Sequence, residues 1–183
     1  MVELRHAHLE DAEAIAALHA RSWRETYRGD YADAFLDGDL IGERRGVWKE
    51  RLSNAPEAQL VLVAIEAGEL AGFVCVADGD HPEWGALVDN LHVATPFKGR
   101  GIGAALLERS AHWLEARSPE RGVYLLVLES NTVARRFYEH LGARDDGLSI
   151  ERQGGAQVRS RRYAWPAPAA LAAGVASRSR AAD

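Results

Sequence analysis

The sequence predicts an α/β domain with a mixed sheet. Apolar runs rich in β-branched residues alternate with segments whose apolar residues recur at helical spacing, and turn residues separate the two kinds of segment. The 183 residues are 47% hydrophobic, which suits one domain with a sizeable core. We expect this domain to span residues 1–165. Residues 166–183 have little to bury and are expected to form a flexible C-terminal tail.

The N-terminal half is predicted to contain two helices and the first three strands. Asp11 is a candidate N-cap for a helix that runs to about Tyr27, and a second helix covers roughly residues 40–52. The predicted strands are residues 4–7, 60–65 and 70–76, the last two forming a hairpin. Residues 78–82 are expected to be a loop.

The C-terminal half is predicted to alternate strands with helices and to close with a hairpin. Strands are expected at residues 85–93 and 123–128, and the closing hairpin at 147–152 and 156–165. A helix with one apolar face runs from Ile102 to about Arg117. Asn131 is a candidate N-cap for a last helix that ends near His140.

Composition limits the function classes. The formal net charge of -5 argues against broad binding to nucleic acids or anionic membranes and suits a cationic partner. Cys75 is the single cysteine, so no intramolecular disulfide can form, and Asp80 with His81 lacks a third metal ligand nearby. We therefore expect no bound metal ion. Because the sequence shows no signal peptide and no long apolar segment, we also expect a cytoplasmic protein.

Residues 98–103, Lys-Gly-Arg-Gly-Ile-Gly, are the strongest functional signal. They lie between a predicted strand and a predicted helix, where glycines let successive N–H groups converge on an anion. A P-loop would need Gly-Lys-Ser/Thr, but Gly103 is followed by Ala104. A dinucleotide fingerprint would need glycine where Leu106 stands. The segment therefore predicts a phosphate site of another kind.

This segment resembles the acyl-coenzyme A loop of the GNAT N-acetyltransferase superfamily, with Lys98, Gly101 and Gly103 at the positions of its pattern. Lysine stands where that family most often has glutamine or arginine. Residues 87–96 resemble its fourth strand and residues 129–143 its second conserved block. The resemblance implies the GNAT fold, a central mixed, mostly antiparallel twisted sheet of about six to seven strands flanked by about four helices.

The resemblance also implies where coenzyme A binds. Its pyrophosphate would rest on the N–H groups of the loop, and its pantetheine arm would pair with the fourth strand near an expected β-bulge at Leu91. The implied coenzyme-binding residues are Leu91, His92, Val93, Lys98, Gly99, Arg100, Gly101, Ile102, Gly103, Asn131, Ala134 and Tyr138.

Four residues are candidates for the chemistry and the acceptor. Tyr138 matches the family's proton donor to sulfur, and Asp89 is a candidate general base because it shares strand parity with Leu91 and Val93. A water chain is the alternative base. Trp23 and Tyr27 share a helix face and, with Asp89, are candidate acceptor-binding residues, although core packing explains the two aromatic residues equally well. Acidic loops at residues 30–39 and 78–83 could steer a cationic amine or be solvated surface.

The resemblance implies an N-acetyltransferase that moves an acetyl group from acetyl-coenzyme A to a primary amine of a small molecule or protein, by direct attack in a ternary complex. The alternative is a non-catalytic acyl-coenzyme A sensor of the same fold. Tyr138 favours the enzyme, because a sensor needs no proton donor at that position. A homodimer is also in keeping with the family.

Overall fold

The computed structural model describes the backbone of residues 1–182 and the side chains of residues 1–178. The strands in this part of the chain are β1 (Glu3–His6), β2 (Gln59–Glu66), β3 (Glu69–His81), β4 (Gly85–Val93), β5 (Val123–Leu128), β6 (Arg144–Gln153) and β7 (Ala156–Trp165). The helices are α1 (Ala12–Thr26), α2 (Asp33–Leu36), α3 (Leu40–Ser53), α4 (Ile102–Glu115), α5 (Thr132–His140) and α6 (Pro168–Ala182). This order confirms the predicted α/β class.

The strands form one sheet in the order β1-β2-β3-β4-β5-β7-β6. β4 and β5 pair in parallel, whereas the other neighbours pair antiparallel, so the sheet is mixed and mostly antiparallel as expected. The pairing of β4 with β5 involves only Ala86 with Val123 and Leu87 with Tyr124. Beyond these two pairs the strands diverge, and the sheet opens between them.

Helices cover both faces of the sheet. On one face α4 packs its Leu106, Leu107 and Leu114 against β2, β3 and β4. On the other face Ile15 of α1 and Trp48 of α3 pack against side chains of β2 and β3. Both faces of the central strands are therefore buried, which explains why β2 and β5 read as continuous apolar runs. Within residues 1–182, no helix combines the length and apolar character needed to cross a bilayer.

The chain between β3 and β4 differs from the prediction. The expected loop at residues 78–82 is wrong for its first four residues, because β3 continues to His81, which pairs with Gly85. The Asp80 carboxylate accepts a hydrogen bond from the Tyr124 hydroxyl, and Asp78 accepts one from Ser118. Partners distant in sequence thus hold polar residues in a strand that their own preferences would end.

Residues 166–183 were expected to form a flexible tail, and this expectation is wrong for the described part. Pro168–Ala182 form α6, which packs against α4. Leu171 and Val175, one helical turn apart, are buried in the α4 side of the core. Gly174 lies so close to the Leu141 carbonyl that a β-carbon there would overlap it. These two apolar side chains and this close backbone contact, with the partly buried Ala170 and Ala172, dock an otherwise alanine-rich helix.

Candidate active site

A cleft of about 900 Å³ opens where β4 and β5 diverge. Its walls come from α1 and α3 on one side of the sheet and from the first turn of α4 and from α5 on the other. Every candidate site residue predicted from the sequence lines this cleft except Arg100. The sequence blocks singled out at residues 87–96, 98–103 and 129–143 are thereby brought to one place.

The glycine loop forms one end of the cleft. Gly99 and Gly101 have φ angles of 77° and 79°, a left-handed conformation that strains other residues, so glycine is required here. Gly101 occupies the N-cap position of α4 and has no side chain with which to cap it. The first-turn N–H groups of α4 and the helix dipole are therefore available to an anion.

The space around this loop fits a phosphate group. A β-carbon at Gly99 or Gly101 would meet nothing within 4 Å, so the backbone can be approached closely. Lys98 is exposed and lines the cleft beside the loop. Arg100 does not line it, because its guanidinium donates to Glu66 of β2 at 2.6 Å. One of the two loop cations is thus held away from the expected phosphate position.

The edge of β4 that faces β5 has free backbone groups. The Ala94 N–H donates to Ala71 of β3, and backbone bonding directions alternate along a strand. The N–H and C=O groups of Leu91 and Val93 therefore face the diverging β5. This is the edge at which the family resemblance places the pantetheine arm.

The β-bulge expected near Leu91 lies at Asp89, and it overturns the parity argument for that residue. Cys75 pairs with Asn90 and Val76 with Val88, so Asp89 is the extra, unpaired residue. Leu91 packs toward the α4 side of the sheet, whereas the Asp89 carboxylate faces α3 and forms an ion pair with Arg51. Asp89 therefore lies in the cleft but not on the face predicted for it.

Tyr138, Asn131 and Ala134 lie along the α5 wall of the cleft. Asn131 caps α5 through a hydrogen bond that its side-chain oxygen accepts from the Ala134 N–H at 3.1 Å, which leaves its amide nitrogen for the cleft. Tyr138 is 8% exposed, and its hydroxyl has no hydrogen-bond partner among the described residues. Burial raises the pKa of Tyr138, so the hydroxyl stays protonated near neutral pH.

The opposite end of the cleft is aromatic and cationic. Trp23 and Tyr27, with ring centroids 5.9 Å apart, line the cleft and also pack in a core cluster beneath it. Burial raises the pKa of Tyr27 to about 12. The guanidinium of Arg44 stacks over Trp23 at 4.6 Å, and Arg51 stacks over Trp48 at 5.3 Å.

His19 and His92 both line the cleft, and their pairing was not predicted from the sequence. His92 was among the implied coenzyme-binding residues, but its ring points toward α1, where Nδ1 is 2.8 Å from Ser22 Oγ. The His19 ring lies 4.8 Å from it, and His19 Nδ1 accepts a hydrogen bond from Trp48. Burial lowers the pKa of His92 to about 4, so this imidazole is neutral at physiological pH.

Comparisons with known proteins identify the family. The model of the acetyltransferase (GNAT) family matches residues 11–143, which include the glycine loop, β4 and α5. The chain belongs to this family. It is an enzyme of the acetyltransferase class rather than a sensor.

The relatives of this acetyltransferase are distant. A protein of Mycobacterium tuberculosis named a probable N-acetyltransferase is 29% identical over 155 residues, which cover 81% of this chain and 83% of that one. The L-amino acid N-acetyltransferase AaaT of Escherichia coli is 25% identical over 80% of this chain and 85% of its own. The PaiA N-acetyltransferase of Thermoplasma acidophilum, solved in complex with coenzyme A, has a TM-score of 0.67 at 19% identity, over 88% of this chain and 98% of that one.

The acidic loops of this acetyltransferase do not reach the cleft. Asp33 and Asp37 form ion pairs with Arg28, and the Asp30 carboxylate accepts a hydrogen bond from Ser130. None of the aspartates at residues 30–39 or 78–80 lines the cleft. The structure therefore favours the solvated-surface reading over steering of a cationic amine.

The aromatic and cationic end of the cleft includes three α3 residues that were not predicted from the sequence. Arg44, Trp48 and Arg51 are four and three residues apart and share one face of α3, a spacing that could have identified them in the sequence.

Within the described residues, no three His, Cys, Asp or Glu side chains are grouped so that they could hold a metal ion.

Proposed function

We propose that this acetyltransferase moves an acetyl group from acetyl-coenzyme A to a primary amine of a small molecule or protein, by direct attack in a ternary complex. One observation carries the proposal: a single cleft contains the uncapped start of α4, the free backbone edge of β4 and the Tyr138 hydroxyl. These features would serve as a phosphate site, a site for an extended amide-bearing arm and a proton donor.

The coenzyme would be held mainly by backbone groups. The N–H groups of residues 99–103 and the Lys98 ammonium would bind the diphosphate. The backbone of Leu91 and Val93 would hydrogen-bond the pantetheine amides like a neighbouring strand, and the free Asn131 amide nitrogen would donate to the same arm from α5. When bound, acetyl-coenzyme A supplies a thioester carbonyl that an amine can attack.

Two groups would act on the thioester. A β4 backbone N–H near Leu91 or Val93 would stabilise the negative charge that develops on the carbonyl oxygen. As the amine nitrogen bonds to the carbonyl carbon, the carbon–sulfur bond breaks, and Tyr138 would donate its proton to the departing sulfur. The raised pKa of Tyr138 keeps that proton available at neutral pH.

The amine must also lose a proton, and two cleft residues can accept it. A neutral His92 that donates from Nδ1 to Ser22 leaves Nε2 as an acceptor, directly or through water. Asp89 would have to leave its ion pair with Arg51 before it could act. We therefore place His92 first and keep Asp89 as the second candidate base.

The acceptor would enter between Trp23 and Tyr27 on one side and α3 on the other. The aromatic and arginine side chains that line this part of the cleft offer both apolar and charged surface, so a broad set of amines must be tried as acceptors.

The cytoplasmic location and the homodimer remain predictions.

Binding and turnover can be measured separately. Acetyl-coenzyme A should raise the melting temperature of the protein, and thiol release should be detected with at least one member of a panel of amino acids, polyamines, aminoglycosides and lysine peptides. Longer acyl donors belong in the same panel. A protein that neither binds acetyl-coenzyme A nor releases thiol with any amine would contradict the proposal.

A further inference from the structure

The end of α6 brings an arginine to the phosphate end of the cleft. Leu171, Val175 and Arg178 are four and three residues apart, so they share one face of the helix. Leu171 and Val175 on that face are buried, at 0% and 2% exposure. Because Leu171 and Val175 anchor this face of α6 in the core, they also determine the position of Arg178 on the helix surface.

The surroundings of Arg178 connect it to the glycine loop. Its guanidinium lies over the Phe137 ring at 5.2 Å, and it lines the cleft. The Phe137 ring in turn lies 3.5 Å from where a β-carbon of Gly103 would be, at the first turn of α4. Arg178 is thus one aromatic ring away from the N–H groups proposed to bind phosphate.

Two of the other three cations that line the cleft are paired with acidic side chains. Among the described residues, the lysine and arginine side chains that line it are Arg44, Arg51, Lys98 and Arg178. Arg44 pairs with Glu43 and Arg51 with Asp89 at the acceptor end. Arg178 has no acidic partner in the described part of the chain, so its charge is available to an anion.

We infer that Arg178 binds a phosphate group of coenzyme A and supplies, from α6, the second charge that Arg100 does not bring to the cleft. The inference rests on the proposed function. The phosphate is either part of the diphosphate or the 3′-phosphate of the nucleotide, and both offer the oxygen atoms that a guanidinium binds. The Phe137 ring supports the guanidinium from below and leaves its edge free for phosphate.

Calorimetric titration tests this without turnover. Arg178→Gln should weaken coenzyme A binding by about three- to tenfold at low salt, with a smaller loss at high salt because the contact is exposed. Arg178→Lys should recover part of the affinity. Arg109→Gln is the matched control, since Arg109 is exposed on α4 but does not line the cleft.

Titration of 3′-dephospho-coenzyme A distinguishes the two phosphates. A loss that persists with this ligand assigns Arg178 to the diphosphate, and a loss confined to coenzyme A assigns it to the 3′-phosphate. Equal affinity of the wild type and Arg178→Gln for coenzyme A would overturn the inference alone. A wild-type protein that does not bind coenzyme A would overturn the proposed function as well.

Discussion

At the scale of single residues, the sequence predicted which residues lie at the cleft better than it predicted what their side chains contact. Asn131 and Tyr138 lie in the cleft as predicted, because helix α5 fixes their spacing locally. Asp89 and Arg100 also lie on the predicted strand and loop. Their side chains are held in ion pairs, however, that of Asp89 by Arg51 and that of Arg100 by Glu66. Ion-pair partners so far along the chain cannot be read from a local pattern.

Tyr138→Phe tests the proton donor. The variant should lower kcat by about ten- to a hundredfold while the Kd for acetyl-coenzyme A changes little, because the hydroxyl acts on the departing sulfur. Steady-state thiol release and calorimetry measure the two quantities. Tyr124→Phe is the control, since its hydroxyl bonds to Asp80 outside the cleft. Unchanged kcat in Tyr138→Phe would exclude the role.

His92→Gln and Asp89→Asn together test the base. If His92 accepts the amine proton, its variant should lower kcat by about a hundredfold, and the pH–rate profile of Asp89→Asn should keep its acidic limb. The profiles of kcat/KM for both variants decide between the residues. A flattened acidic limb in Asp89→Asn with near-normal kcat in His92→Gln would assign the role to Asp89.

At the scale of elements, patterns with strong local chemistry were placed accurately. β4 and β5 were predicted at the bounds observed, and Gly99 and Gly101 of the 98–103 loop have left-handed φ angles that favour glycine. The bulge in β4 moves the side chain of Asp89 to the other face of the sheet from the one predicted. The pairing of β4 with β3 sets the position of this bulge, and a local pattern does not reveal it. α6 was missed because alanine-rich composition does not reveal that Gly174 packs against Leu141.

Gly174→Ala tests how α6 is docked. A β-carbon there would lie 2.0 Å from the Leu141 oxygen, so the helix must shift. We expect a loss of about 1–3 kcal/mol in the free energy of unfolding, measured by urea denaturation. Gly46→Ala on the exposed face of α3 meets nothing within 4 Å and should instead gain about 0.5–1 kcal/mol. Equal effects of the two substitutions would contradict the close packing of α6.

At the scale of the whole molecule, the fold class, the mixed sheet and the family were all predictable from the sequence. Two segments that resemble blocks of the family, in the right order, predicted the family membership. Apolar runs that alternate with helical segments predicted the sheet. The aromatic and cationic end of the cleft was predicted only in part: Trp23 and Tyr27 of α1 were candidates, whereas the α3 residues that join them come from a distant segment. The contact between His19 and His92 is visible only once the helices lie on the sheet.

The buried histidines make stability depend on pH. Burial lowers the pKa of His19 and lowers that of His92 to about 4, whereas an unfolded histidine has a pKa of about 6.5. Below that value the unfolded chain binds protons that the folded chain does not, so stability falls as pH drops from 6.5 toward 4. Urea denaturation across this range should show the slope, and His92→Asn should make it shallower. An equal slope in the variant would contradict burial of a neutral His92.

The central claim is that acetyl-coenzyme A binds with its phosphates on the glycine loop and its arm along β4. An NMR titration of amide resonances tests it most directly, because both contacts are made by backbone N–H groups. The account predicts saturable shifts at Gly99, Gly101 and Gly103 and at Leu91 and Val93. Shifts confined to residues outside the cleft, or no shifts at saturating acetyl-coenzyme A, would contradict it.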